Sequence, residues 1–323
     1  MLLIRGLAVA IAAFIWLWAL LALWFYDPWP SWLRIAACAV WLTAAGCLIA
    51  LRNRSCAAAM VIGLIAIVVM WSFHRPSNDR DWADDQQQLP VAVFDGNTVT
   101  IRNVRHATYR TEDDYVVDWL DMRFDLNEIR SVDFVVEPFS AWQGLAHTLL
   151  TFGFADGRHI AISVEVRREK HESFSAIRGL YRQFEVMYVI GDERDVIGLR
   201  ANIRKDPVYL FPIRATQQQV RSLFVAMLNR ANKLASEPEF YNTLTNTCTT
   251  NIVRHFEDLM DRNLPFDPRV VLPGYSDELA DELELIDFDG DLDGARQRFH
   301  INGRSAFTDD DSDWSHRIRK TTP

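Results

Sequence analysis

The sequence predicts an α+β protein behind three membrane-spanning helices, and three observations carry that reading. The first 74 residues contain three long apolar runs with almost no charge. From about residue 97, short segments rich in valine, isoleucine and aromatics recur with period two between turn residues, the pattern of strands half-buried in a sheet. After Thr216 and around Cys248 the apolar spacing changes to that of amphipathic helices. The expected arrangement is an antiparallel sheet packed on those helices. The expected domains are a membrane anchor over 1–74, a polar tether over 75–96 and one soluble domain over 97–323.

The apolar runs are Gly6–Tyr26, Ile35–Leu51 and Cys56–Phe73. Each is close to the ~20 residues that span a bilayer. Trp24, Trp29, Trp32 and Trp71 lie at their ends, where amphipathic rings prefer to sit. The first run is expected to be a retained span rather than a signal peptide, because no Ala-x-Ala site closes it and two more runs follow. Arg5, Arg52 and Arg54 flank the runs on one side and Arg34 on the other. The positive-inside rule then puts the N-terminus and the 52–55 turn in the cytoplasm. Everything after His74 is outside, which for the inner membrane of a bacterium is the periplasm.

The formal net charge of −9 is unevenly spread. Four arginines and one aspartate give the first 74 residues +3, which leaves −12 to the soluble part. An acidic domain without a basic cluster argues against nucleic acid as a partner, and no glycine pattern for nucleotide phosphates is present. The expected partners are membrane lipids and lipoproteins, with no cofactor and no metal.

Strands are expected around Thr98–Val104, Asp121–Leu126, Val132–Val136, His147–Phe154 and His159–Arg168. A short helix is expected over Phe174–Phe184, then strands over Val186–Ile190 and Val208–Ile213. A helix capped by Thr216 runs to about Leu234, with Val220, Leu223, Phe224, Met227 and Leu228 on one face. Between 147 and 168, Phe154-Ala-Asp-Gly-Arg158 suits a three-residue loop closed by a left-handed glycine. That loop pairs Phe152 with Ile160 and Leu150 with Ile162, which makes one face apolar. It also sets Gly153 opposite His159, Leu149 opposite Ser163 and His147 opposite Glu165.

Cys248 is the one cysteine of the soluble part, so it has no partner there for a structural disulfide. It follows the polar stretch Asn242–Thr247 and opens an amphipathic segment with Ile252, Val253, Phe256, Leu259 and Met260. Thr245, Asn246 or Thr247 would cap that helix. A thiol in its first turn meets the positive end of the helix dipole, which favours thiolate. A cysteine nucleophile needs a base, and the base a third group to orient it. Cys248, His147 and Glu165 supply these roles. His159 is the rival third residue, Ser163 a possible contributor, and the Cys248 amide with Asn246 a possible oxyanion site.

The motifs Ala146–Gly157, Ile160–Glu169, Tyr188–Asp195, Tyr241-Asn-Thr with Asn246–Thr250, and Leu272–Leu279 resemble the periplasmic domain of the Lnb-type lipoprotein N-acyltransferase family. The likeness extends over about residues 97–318. That family is similar to permuted, NlpC-type papain-like cysteine hydrolases, in which histidine precedes cysteine, as His147 precedes Cys248 here. The resemblance implies a papain-like domain, His147 as base, Cys248 as nucleophile, and acyl transfer through a thioester. It also raises Arg194 as a residue that positions a polar headgroup. The three spans ahead of the domain leave the exact reaction open. The alternatives are cell-wall peptide amidase or peptidase activity, and a non-enzymatic membrane-tethered binding module.

Other motifs read as structure. Asp289–Gly294 matches half of an EF-hand loop but has His300 where a bidentate glutamate belongs, so an acidic surface loop is expected. Gly191–Asp195 reads as an ion-paired turn, His106 and His171 as surface residues, and Thr308–Asp313 as a solvated acidic run.

Overall fold

The computed structural model describes residues 2–51, 54–260, 263–308 and 311–320. Arg52, on which part of the topology argument rests, and Asp309 and Asp310 of the acidic run lie outside them. The chain divides into two compact units, residues 1–77 with 174–184 and 240–242, and the remainder.

The first unit is built on α1 (Leu2–Trp24), α2 (Ser31–Leu51) and α3 (Arg54–Phe73), of 23, 21 and 20 residues. All three are long and apolar enough to cross a membrane. Most of their large side chains face outward, as lipid solvation allows. Two indole N–H groups are satisfied across the bundle, while that of Trp16 is buried without a partner. Trp41 donates to the Trp16 carbonyl at 3.2 Å and Trp71 to the Ala22 carbonyl at 3.3 Å. The segment 174–184 belongs to this unit and holds only one short helix, α4 (Ala176–Gly179), capped by Ser175.

The second unit is an eight-stranded sheet: β1 (Val91–Asp95), β2 (Thr98–Tyr109), β3 (Tyr115–Asp125), β4 (Ile129–Pro138), β5 (Ala146–Phe154), β6 (His159–Arg167), β7 (Glu185–Asp192) and β8 (Tyr209–Pro212). The order is β1-β2-β7-β6-β5-β4-β8, with β3 also paired to β2. Every junction is antiparallel except β2 with β7, which meet in parallel at Arg105 and Gly191. The helices are α5 (Glu193–Gly198), α6 (Gln217–Ser236), α7 (Cys248–Met260), α8 (Ser276–Glu282), α9 (Leu292–Phe299) and α10 (Trp314–Arg319). A π-helical turn, Leu199–Arg204, continues α5.

The β5–β6 hairpin has the expected register, with Phe152 opposite Ile160, Leu150 opposite Ile162 and Leu149 opposite Ser163. Gly157 closes its turn at φ +86, a conformation that a Cβ would strain. One face of the pair packs on α6, where Phe152 and Phe154 lie 5.0 and 5.6 Å from Phe224, ring centre to ring centre. The other face puts Leu149, Ala161, Met187 and Val189 against Val196 and Ile197 of α5 and Trp314 and Ile318 of α10. α6 opens on a full capping box between Thr216 and Gln219.

Most of the segment expected as a tether is part of this unit. Trp82 is 5% exposed and lies under the Arg167 guanidinium at 4.2 Å. The Gln86 amide donates to the Val166 carbonyl and accepts from the Arg168 N–H. Asn232 of α6 bonds both backbone groups of Ala92 in β1. The polar composition of 75–96 thus serves buried hydrogen bonds, which composition alone does not distinguish from solvation. The acidic run is corrected in the same way at Asp311, whose side chain is 4% exposed and ion-pairs with Arg194 and Arg317.

Candidate functional site

Thr247 caps α7: its hydroxyl accepts from the Thr250 N–H at 3.2 Å, and its own N–H donates to the Thr250 hydroxyl at 2.7 Å. Cys248 is therefore the first helical residue, and it is buried on one stripe with Ile252 and Phe256. The Asn246 side-chain carbonyl accepts from Asn251 at 2.9 Å, which pins the preceding loop. The thiol lies 3.7 Å from the Thr249 hydroxyl. Thr249 in turn bonds Thr148 of β5 at 3.0 Å, so the helix start is stitched to the strand start.

His147 precedes Thr148. Its Nε2 is 2.7 Å from the Ser163 hydroxyl, and Ser163 donates to Glu165 at 2.9 Å. The Ser163 proton is committed to the carboxylate, so Ser163 accepts from His147. Nε2 then carries the imidazole proton and Nδ1 is the basic nitrogen. Nδ1 makes no hydrogen bond and is not among the buried atoms sealed without a partner. His147 and Glu165 are joined through the Ser163 hydroxyl rather than by a hydrogen bond of their own. The cross-strand pairing ends at Leu149 and Ser163, and the serine hydroxyl bridges the gap.

Behind this relay stands Arg200, in the π-helical turn. It contacts Glu165 at 2.9 Å and Glu137 of β4 at 2.5 Å. Burial would raise Glu165, but Arg200 and His147 outweigh it and hold the carboxyl well below the usual range. Burial dominates at Glu137 and pushes it up to about 7 against the pull of Arg200 and Arg204. Burial and the Arg200 charge lower His147 to about 3, so the imidazole is neutral at physiological pH. The spacing of 199–204 carries no sequence signal for Arg200, because an arginine in a polar-looking turn reads as surface.

The structure brings His147, Ser163, Glu165 and Arg200 together, but it forms no hydrogen bond between His147 and Cys248. Consecutive strand residues leave opposite faces. Thr148 takes the α7 face, and His147 the face that carries Glu137, Ser163 and Arg200. Just before β5 the chain is tightly placed, since a Cβ on Gly274 would lie 1.5 Å from the Gln143 carbonyl.

His159 is at the far end of the hairpin, six residues along from His147's level, or roughly 20 Å at strand rise. Its Nδ1 meets the Gly157 carbonyl at 3.0 Å. Burial lowers its pKa against the nearby Glu193 charge, and it takes no part in the relay. Arg194 is also elsewhere, paired with Asp311 at 3.0 Å. The Gly191–Asp195 turn is ion-paired as expected: Asp195 holds the buried Arg105 at 2.8 Å, and Glu193 holds Arg319. His106 pairs with Asp192. Asp291 of the EF-hand-like stretch caps α9 through the Gly294 N–H.

A small apolar cavity of about 40 Å³ lies beside α7, lined by Phe134, Ile252, Phe256, Leu279, Leu283 and Ile286, with Thr249 on its wall. On the same face of the sheet, His255 of α7 meets the Tyr188 hydroxyl at 2.9 Å. Burial lowers His255 to about 4. Its folded pKa lies below the unfolded value of about 6.5. Stability from this group is therefore full above pH 6.5 and is lost as pH falls towards 4, by up to about 1.4 kcal/mol per unit. His255→Gln is expected to flatten the acid limb of melting temperature against pH, and an unchanged limb would refute this assignment.

The fold and site define a class: an α+β domain with a cysteine at a helix start and an oriented histidine on the adjoining strand, behind three apolar helices. Residues 115–274 belong to the Lnb N-terminal periplasmic domain family, so the chain is a membrane-anchored protein with a periplasmic domain. No curated protein and no solved structure matches the chain.

Proposed function

We propose that the protein is a cysteine acyltransferase or hydrolase of the bacterial inner membrane, with a cytoplasmic N-terminus, acting on acyl groups of lipids or lipoproteins. The observation that carries this reading is the relay Arg200–Glu165–Ser163–His147. It fixes one tautomer and leaves Nδ1 open at the strand start that Thr148 and Thr249 tie to Cys248. In the reaction, Nδ1 accepts the thiol proton as sulfur bonds to the acyl carbonyl carbon. The collapsing intermediate expels the alcohol, which takes the proton back, and a thioester remains. An amine, or water, then attacks the thioester and restores the thiol. Engagement requires the thiol and imidazole to close around the start of β5, and bound substrate supplies the contacts for that closure.

Mass spectrometry of the full chain incubated with membranes tests the reading. A hydroxylamine-labile fatty acyl adduct on Cys248, lost in Cys248→Ser, is expected. Absence of any adduct, with Cys248 no more reactive to an electrophile than an ordinary thiol, would leave a binding module. Cleavage of cell-wall peptides without an acyl adduct would favour the amidase.

A further inference from the structure

The first unit contains a cavity that the thiol chemistry does not use. It is an open cavity of about 310 Å³, lined by His74, Arg75, Arg182, Phe240, Tyr241 and Asn242. His74 follows Phe73, the last residue of α3, so the cavity opens where a bilayer's headgroups begin. We propose that this cavity binds the phosphodiester of a membrane phospholipid, through Arg75 and Arg182.

The site is built rather than incidental. His74 is 7% exposed, stacks on Phe240 at 4.8 Å and donates from Nε2 to the Arg182 carbonyl at 3.1 Å. Arg182 adopts φ +51, a conformation uncommon for a side-chain-bearing residue and retained where the surroundings impose it. Its guanidinium lies 5.7 Å from the Phe240 ring and 5.8 Å from the Trp71 ring, and one nitrogen donates to the Trp71 carbonyl at 2.9 Å. That carbonyl is in the last turn of α3, where helical partners run out. Gln183 does the same for the Phe25 carbonyl at the end of α1. The segment carrying Arg182 is thus fastened to two helix ends.

Neither Arg75 nor Arg182 has a carboxylate partner among the described residues, although the chain is acidic and most of its other arginines outside the spans are ion-paired. Two unneutralised guanidiniums in one cavity call for an anion, and their fork geometry suits phosphate oxygens. The same segment exposes Phe174, Ile177 and Leu180, at 44%, 55% and 39%. An apolar stripe next to cations is the composition of an element lying in a bilayer surface. The anion abundant at that depth is the phosphodiester. This assignment is independent of Cys248.

Native mass spectrometry of the full chain in detergent tests it, with phosphatidylglycerol, phosphatidylethanolamine, diacylglycerol and inorganic phosphate added in turn. Both phospholipids should bind, and diacylglycerol at least tenfold more weakly. Arg75→Gln should weaken phospholipid binding at least threefold and Arg75→Gln/Arg182→Gln at least tenfold, whereas Arg5→Gln at the other end of the bundle leaves it unchanged. Arg75 is exposed, so its variant should melt with the parent and read binding alone. Equal binding of diacylglycerol, or unchanged binding in a normally melting Arg75→Gln, would overturn the proposal. Displacement by inorganic phosphate as effectively as by short-chain phospholipid would assign the cavity to a soluble anion and overturn the lipid assignment.

Discussion

Replacing His147 by Gln is expected to slow acyl-adduct formation on Cys248 by about 10²–10⁴-fold, the usual worth of a positioned general base. Glutamine keeps a donor for Ser163 and approximates the side chain's length, so the relay to Glu165 and the strand pairing survive. What it lacks is the lone pair of Nδ1. The pH dependence sharpens the expectation. The folded imidazole is held neutral down to about pH 3 by burial and by Arg200. Protonation of His147 therefore imposes no acid limb near pH 6.5, where an unperturbed histidine would titrate. Single-turnover acylation followed by mass spectrometry from pH 5 to 8 measures both effects. A variant within threefold of the parent, or a parent profile falling through pH 6.5 and lost in His147→Gln, would contradict this account of the site.

Ser163→Ala separates orientation from basicity. It removes the acceptor for the Nε2 proton and leaves the ring in place, so either tautomer becomes available. The proton then sits on Nδ1 part of the time, where it blocks acceptance from the thiol.

Local pattern carried much of this architecture, and long-range charge did not show in it. The hairpin was legible because its apolar residues permit one register, and Gly157 marks the turn. The cap at Thr247 and the burial of Cys248, Ile252 and Phe256 follow from spacing within a single helix. The His147–Glu165 proximity was legible to within one side chain, and the serine between them was visible as a neighbour on the same face. Arg200 and Glu137 were not legible. Each is a charged residue whose burial depends on the other, and a sequence does not show which distant charges meet. The same holds for Asp311 and Gln86, polar residues that resemble solvent-facing ones until their partners are known. The approach of Cys248 to His147 was inferred from chain order and required chemistry. The hydrogen bonds place their neighbours Thr249 and Thr148 together instead, which makes closure around the strand start the critical step.

Arg200→Met should be the most damaging substitution outside the reacting groups. Arg200 is 3% exposed and lies between Glu137 and Glu165, with a further bond from its guanidinium to the Val196 carbonyl. Methionine fills much of the space but leaves two buried carboxyls without their principal counter-charge. Removing one partner of a buried ion pair typically costs about 3–5 kcal/mol. Glu137, raised to about 7, relieves part of that by protonation, but Glu165 owes its depressed pKa mainly to Arg200. Its affinity for protons must rise in the variant. The imidazole responds in the same direction, since the charge that disfavoured imidazolium is gone, and an acid limb should then appear in the acylation profile. Thermal unfolding of the full chain in detergent reads the stability loss. The triple variant Arg200→Met/Glu137→Gln/Glu165→Gln should regain much of it, because no buried charge is left uncompensated. Acylation should not recover with stability, because the carboxylate that orders Ser163 is also gone. A loss under about 1 kcal/mol in Arg200→Met, against the cost expected for an unpaired buried charge, would mean that water reaches these carboxyls. The relay would then be a solvated surface cluster.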